Sequence, residues 1–146
     1  MTPPSALETL IELATKLTDE ATRRFGQAVR ASEAEEQKLA LLKQYREDYA
    51  ARFQAHRSTG LSATGYRNFQ VFLDQLDAAI TGQEQVVAHA QCRTEDERSA
   101  WQDCERKRIS YDTLAARAEK SEQQRSARRD QKQTDEQAAR RLLDKR

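Results

Sequence analysis

From Phe69 to Ala118 the chain carries one unbroken stripe. Taken at alternating spacings of four and three, the positions read Phe69, Leu73, Leu76, Ile80, Gln83, Val87, Ala90, Thr94, Glu97, Trp101, Cys104, Arg108, Tyr111, Ala115 and Ala118. Eleven of these fifteen are apolar, counting cysteine, and the stretch holds one glycine, Gly82, and no proline. A stripe of that period is a heptad seam, a narrow apolar line on one side of a long helix. The remaining faces are too polar to sink into a globular core, so a second helix has to lie along the seam.

Composition supports this. Of 146 residues, 34% are charged and 37% apolar, with four glycines and two prolines. That is little material for a spherical core or for turns, and it points to long helix or coiled coil. Basic and acidic residues number 25 and 24 and are interspersed, so no global field favours nucleic acid or an anionic membrane. No run approaches the ~18 apolar residues of a membrane span. The start, Met1-Thr2-Pro3-Pro4-Ser5, has neither the basic nor the apolar region of a signal peptide. Cys92 and Cys104 lie ~18 Å apart along straight helix, too far to bridge. Two unpaired thiols suit a reducing compartment.

A partner helix is present upstream. Ser5 and Glu8 form a capping-box pattern after Pro3 and Pro4. From there Leu7, Leu10, Ala14, Leu17, Ala21, Ala28, Leu39, Leu42, Tyr49 and Phe53 make a drifting stripe. The middle, Arg23 to Lys38, is thin in large apolar residues and contains Gly26, so pairing is expected to be weakest there. Ser58-Thr59-Gly60 ends the helix, with Gly60 suited to a left-handed cap, and Ser62 or Thr64 can cap the next one.

The expected fold is therefore all-α: a long antiparallel two-helix coiled coil over residues 1–118. Its helices span about residues 5–56 and 64–118, with a turn at 57–63. The arms are 52 and 55 residues, roughly 80 Å each at 1.5 Å per residue. If the bend centres near Gly60 and Leu61, residues whose numbers total about 121 lie level. Leu7 then meets Leu114, and Leu17 meets Cys104. Residues 119–146 lose the stripe. This tail has nine basic and six acidic residues and no packing partner. It is expected to be a frayed single helix, or disordered until a partner arrives.

Chemistry is sparse. His56 and His89 lie far apart, His89 and Cys92 supply only two ligands, and no cluster has metal-ligand spacing. There is no glycine-rich phosphate loop, and two helices make no concave, dry pocket. Neither an enzyme, a cofactor nor a small-molecule substrate is expected. The tail has no aromatic residue for bases to stack on, so no nucleic acid is expected either. Trp101 reads as seam filler.

One region holds more apolar residues than a single seam needs. On the first arm Lys38, Leu42, Tyr45 and Tyr49 share one row, and on the second Phe72, Leu76, Ala79 and Gln83 share another. The level estimate pairs Tyr49 with Phe72, Tyr45 with Leu76, Leu42 with Ala79 and Lys38 with Gln83. Two readings stand: the rows form a contact patch rich in aromatic residues, or the seam simply widens.

Several blocks resemble a known family. They are Ala6-Leu7-Glu8-Thr9-Leu10, then Gln44-Tyr45-Arg46-Glu47-Asp48-Tyr49, then the run from Asn68-Phe69-Gln70-Val71-Phe72 to Ile80. Trp101 is followed by a basic run, and Asp130-Gln131-Lys132 precedes Asp135-Glu136. Together, in order and over nearly the whole chain, these are similar to the flagellar export protein FliJ family. The resemblance implies a cytoplasmic component of the flagellar type III export apparatus, like the central stalk of a rotary ATPase. It implies three partners: the hexameric export ATPase, the membrane export gate and the export chaperones. Membrane association would then be peripheral and through partners only. The family's gate-binding patch matches Leu42, Tyr45, Tyr49, Phe72, Leu76 and Ala79. Lys38 and Gln83 at its ends depart from the family's pattern. The ring-facing end would include Leu7, Leu10, Leu17, Tyr111 and Leu114. The rival readings are a structural coiled-coil tether, and a general secretion chaperone that coats unfolded substrate.

Overall fold

In the computed structural model, which describes residues 5–145, two helices account for almost all of the chain. α1 runs Ala6–Thr59 (54 residues) and α2 runs Ala63–Asp144 (82 residues). No strand occurs among the described residues. The two helices pack antiparallel as an all-α hairpin.

Local chemistry sets the helix ends. The Glu8 amide donates to Ser5 Oγ at 3.2 Å and the Ser5 amide to Glu8 Oε2 at 3.3 Å, the reciprocal pair of a capping box. At the other end of α1, Thr59 Oγ1 and Ser58 Oγ donate to the carbonyls of His56 and Ala55. Gly60 then takes φ 93°, a left-handed value that costs a residue without Cβ nothing. Ser62 Oγ accepts from the Gly65 amide at 3.1 Å and so caps α2. The bend thus occupies residues 60–62. α1 continues three residues beyond His56, because the Ser58 and Thr59 hydroxyls extend the last turn.

The chain divides into two compact units, one of residues up to Thr18 with those from Asp103 onward, the other Asp19–Gln102. In the unit containing the bend, Phe53 and Leu73 are 7% and 8% exposed, and the Phe53 and Phe69 rings lie 5.3 Å apart. Further along, Thr94 Oγ1 donates across to the Ala28 carbonyl at 3.1 Å. Phe53 with Phe69 and Ala28 with Thr94 both total 122 in residue number, so the register holds within this unit. In the other unit Thr18 Oγ1 donates to the Cys104 carbonyl at 3.3 Å, with the same total.

On α2 every expected seam residue from Phe69 to Ala115 is buried or half-buried; Ala118 is exposed. α1 differs from its expected stripe. Its inward face runs Leu7, Ile11, Ala14, Thr18, Ala21, Phe25, Ala28, Ser32, Glu35, Leu39, Leu42, Arg46, Tyr49 and Phe53, again at spacings of four and three. Leu10 and Leu17 lie beside this line at 41% and 42% exposed. The middle of α1 is closely paired rather than loose. Ala21 is fully buried, and Ala28 and Ser32 are each 6% exposed. Small side chains are covered by the opposing helix, whose Thr94 hydroxyl reaches the Ala28 carbonyl.

From Glu119 onward α2 continues as helix to Asp144, with every described residue exposed. Its own side chains supply what support there is. Glu122 pairs with Arg125 and Arg129, and Gln131 donates to Asp135 at 3.0 Å.

Candidate functional site

The rows Lys38–Tyr49 and Phe72–Gln83 divide between two roles. Leu42, Tyr49, Leu76 and Gln83 lie on the seam and are half-buried. Tyr45, Phe72, Ala79 and Lys38 lie one position to the side and are exposed. Successive helical residues differ by about 100°, so a one-residue offset turns a side chain from the seam to its flank. The seam therefore takes four of the eight residues and leaves four outside.

Tyr49 joins the two groups. Its ring lies 4.3 Å from Phe72 and 5.0 Å from Phe69, both tilted. Phe69 in turn contacts Phe53 at 5.3 Å and His56 at 5.7 Å. Tilted rings at such distances are well packed, so the exposed edge of Phe72 is held in place from beneath. Tyr45 is 58% exposed and Phe72 41%. With Asp48, Tyr49 and Arg52 they line a shallow open groove. Leu41, four residues before Tyr45 and 54% exposed, lies on the same flank of α1. The sequence reading left it out of the site, although its i, i+4 spacing to Tyr45 was the available signal.

Charge frames this surface. Arg46, a seam residue, forms an ion pair with Asp77, and that carboxylate raises the guanidinium's pKa. Lys38 and Gln83 are both turned to Glu35. Gln83 Nε2 donates to Glu35 Oε2 at 2.7 Å and to its carbonyl at 2.9 Å, and Lys38 Nζ donates to Oε1 at 3.1 Å. The Gln83 amide, then Lys38, holds the Glu35 carboxyl below its ordinary value.

In the unit that includes the chain termini, the expected residues occupy two environments. Leu7 and Tyr111 are half-buried, while Leu10, Leu17 and Leu114 are 41%, 42% and 49% exposed. Leu10, Leu13, Ala14, Leu17, Lys107 and Tyr111 line one groove. Leu13, at 52% exposed, was missed; it lies three residues after Leu10 and four before Leu17, on the same flank. A third apolar groove sits elsewhere, lined by Thr22, Phe25 and Trp101, with the two rings 6.0 Å apart. Trp101 fills the seam as expected, and Phe25 is its partner.

Such surfaces are of the kind that suits apolar side chains; among the described residues they present no arranged acid, base or nucleophile. Among the described residues no three His, Cys, Asp or Glu side chains gather as metal ligands. No described helix is long and apolar enough to cross a membrane.

Comparison with known proteins agrees over the whole length. A family model described as "Flagellar FliJ protein" matches residues 4–146. The chain is 28% identical over 145 residues to the flagellar FliJ protein of Escherichia coli K12, covering 99% of each chain. It is 27% identical over 145 residues to that of Salmonella typhi, again covering 99% of each.

Proposed function

The chain belongs to the flagellar FliJ family, whose members are components of flagellar protein export and not enzymes, and from that premise we propose that it is the stalk-like coiled coil of the export machine. In this reading the end carrying Leu7, Leu10, Leu17, Tyr111 and Leu114 enters the ring of the export ATPase and promotes its assembly. The surface beside the bend, with Tyr45, Phe72 and Ala79 outermost and Leu42, Tyr49 and Leu76 beneath, meets the membrane export gate. The chaperones that escort late export substrates are handed over on the same protein. It works at the cytoplasmic face of the membrane and is held there only by its partners.

The observation that carries the reading is the exposure of Tyr45 and Phe72 beside a seam that is already filled. Large aromatic side chains left outside a complete core are typical anchors of protein contacts. A mere tether has no use for them.

The test uses the purified export ATPase and the soluble part of the gate protein. The wild-type chain raises ATP turnover and binds the gate fragment. Tyr45→Ala with Phe72→Ala leaves helicity intact and weakens gate binding by about tenfold or more, since truncating a contact anchor costs about 2 kcal/mol. ATP turnover is unaffected by that change. A chain that binds unfolded export substrate but leaves turnover unchanged would establish the chaperone reading instead.

A further inference from the structure

Each seam carries several polar residues in the Asp19–Gln102 unit, and Glu35 of one meets Gln83 of the other. Glu35 of α1 sits between Ser32 and Leu39 on its seam, and Gln83 of α2 between Ile80 and Val87. The Gln83 amide spends itself on Glu35 twice, on the carboxylate at 2.7 Å and on the backbone carbonyl at 2.9 Å. Lys38 takes the other carboxylate oxygen at 3.1 Å. The Glu35 side chain is only 24% exposed. A carboxylate so placed needs its donors, and removing one leaves a charge facing apolar neighbours.

The bend by itself is a weak determinant of alignment. Residues 54–60 and 62–64 are all exposed, so moving the bend by half a heptad uncovers little apolar surface and costs chiefly the strain of a residue other than Gly60 in the left-handed position. Elsewhere in this unit the Thr94 hydroxyl on the Ala28 carbonyl and the packed rings of Tyr49, Phe53, Phe69 and Phe72 also favour the native alignment, and the Glu35–Gln83 pair adds to them the penalty of a stranded charge. Sliding by one heptad in one direction sets Glu35 against Ile80; in the other it sets Glu35 against Thr94. With Thr94 level the Gln83 amide is carried far out of reach, and with Ile80 level Gln83 moves from one side of Glu35 to the other, so the paired bonds to the carboxylate and to the backbone carbonyl are broken in both while the carboxylate remains in the seam.

We propose that Glu35 and Gln83 form a register lock. The pair costs stability relative to an apolar pair and in return excludes hairpins slipped by a heptad. It thereby keeps Tyr49 against Phe72. It also follows that Lys38 and Gln83 act inward on Glu35, not outward on a partner.

The experiment reads alignment by thiol cross-linking in the full chain, with Cys92→Ser and Cys104→Ser removing the native thiols. Ser32→Cys with Ala90→Cys reports the native register. Ser32→Cys with Glu97→Cys and Leu39→Cys with Leu76→Cys report the two slips. With Glu35 and Gln83 present, a short bismaleimide joins only the native pair. In the Glu35→Leu, Gln83→Leu chain, helicity is kept and the thermal midpoint rises. At least one slipped pair then cross-links about tenfold more than in the parent. The Glu35→Ala, Gln83→Ala chain repeats the test without added volume and slips likewise. Exchanging the pair, as Glu35→Gln with Gln83→Glu, restores the single register. Native-only cross-linking in both the leucine and the alanine chains would overturn the proposal and assign the register to the bend. So would slipped products in the exchanged chain.

Discussion

Tyr45 and Tyr49 are the same residue type one helical turn apart, yet they have different fates. Tyr49 is half-buried against Phe69 and Phe72, and Tyr45 is 58% exposed. The difference is a few tens of degrees around the helix axis, since four residues overshoot one turn by about 40°. Glu35 shows what happens when a charged residue falls on the inner side of that boundary. Gln83 first and Lys38 second lower its carboxyl from the ordinary 4.5. A folded-state value below the unfolded one means a stabilising contribution that is complete above the ordinary value. It is lost as pH falls through the lowered one. Glu35→Gln should therefore flatten the pH dependence: between about pH 5 and pH 3 its thermal midpoint falls less than that of the wild type. Equal slopes for the two proteins would mean that the Gln83 bond does not favour the ionised form.

At the scale of elements, α1 and α2 contribute to one seam in unlike ways. α2 carries large side chains along much of its seam, among them Phe69, Leu73, Val87 and Trp101, whereas a long part of the α1 seam is made of small ones, Ala14, Thr18, Ala21, Ala28 and Ser32. Small residues let the helices approach until the Thr18 and Thr94 hydroxyls reach carbonyls on the other helix. Such a site has no spare volume. Ala21→Leu should destabilise the hairpin by about 1–3 kcal/mol through overpacking, read as a lower urea midpoint at unchanged slope. Exposed Leu13, truncated to Ala, should change stability by no more than about 0.5 kcal/mol. The end of α2 is the opposite case. From Glu119 to Asp144 no described residue is covered. Removing residues 119–146 should leave the thermal midpoint unchanged within the ~0.5 kcal/mol typical of surface changes. A clear fall in the midpoint would show that the extension packs on the hairpin.

Taken whole, the protein keeps its buried apolar side chains few and its exposed ones grouped. Among the described residues only Ala14, Ala21, Ala28, Phe53, Leu73 and Val87 count as buried and hydrophobic. The exposed large ones include Leu10, Leu13 and Leu17 in one unit and Leu41, Tyr45 and Phe72 in the other. In the function proposed above, that division gives the seam to shape and leaves the flanks for partners. Much of this was readable from residues. The helical class and the hairpin followed from a heptad stripe on α2 and a Ser58-Thr59-Gly60 stop, because large apolar side chains at a fixed period have only one way to be buried together. The capping box at Ser5 and Glu8 followed as well, since it is satisfied within four residues. The inner face of α1 was a different matter. Hydrophobicity ranks Leu10 and Leu17 above Thr18 and Ser32, yet the second pair is buried and the first is not. What a small or polar residue gains from burial depends on what the opposing helix places against it: a carbonyl for Thr18, an amide for Glu35. Those partners lie tens of residues away along the chain, so only the packed pair of helices decides them.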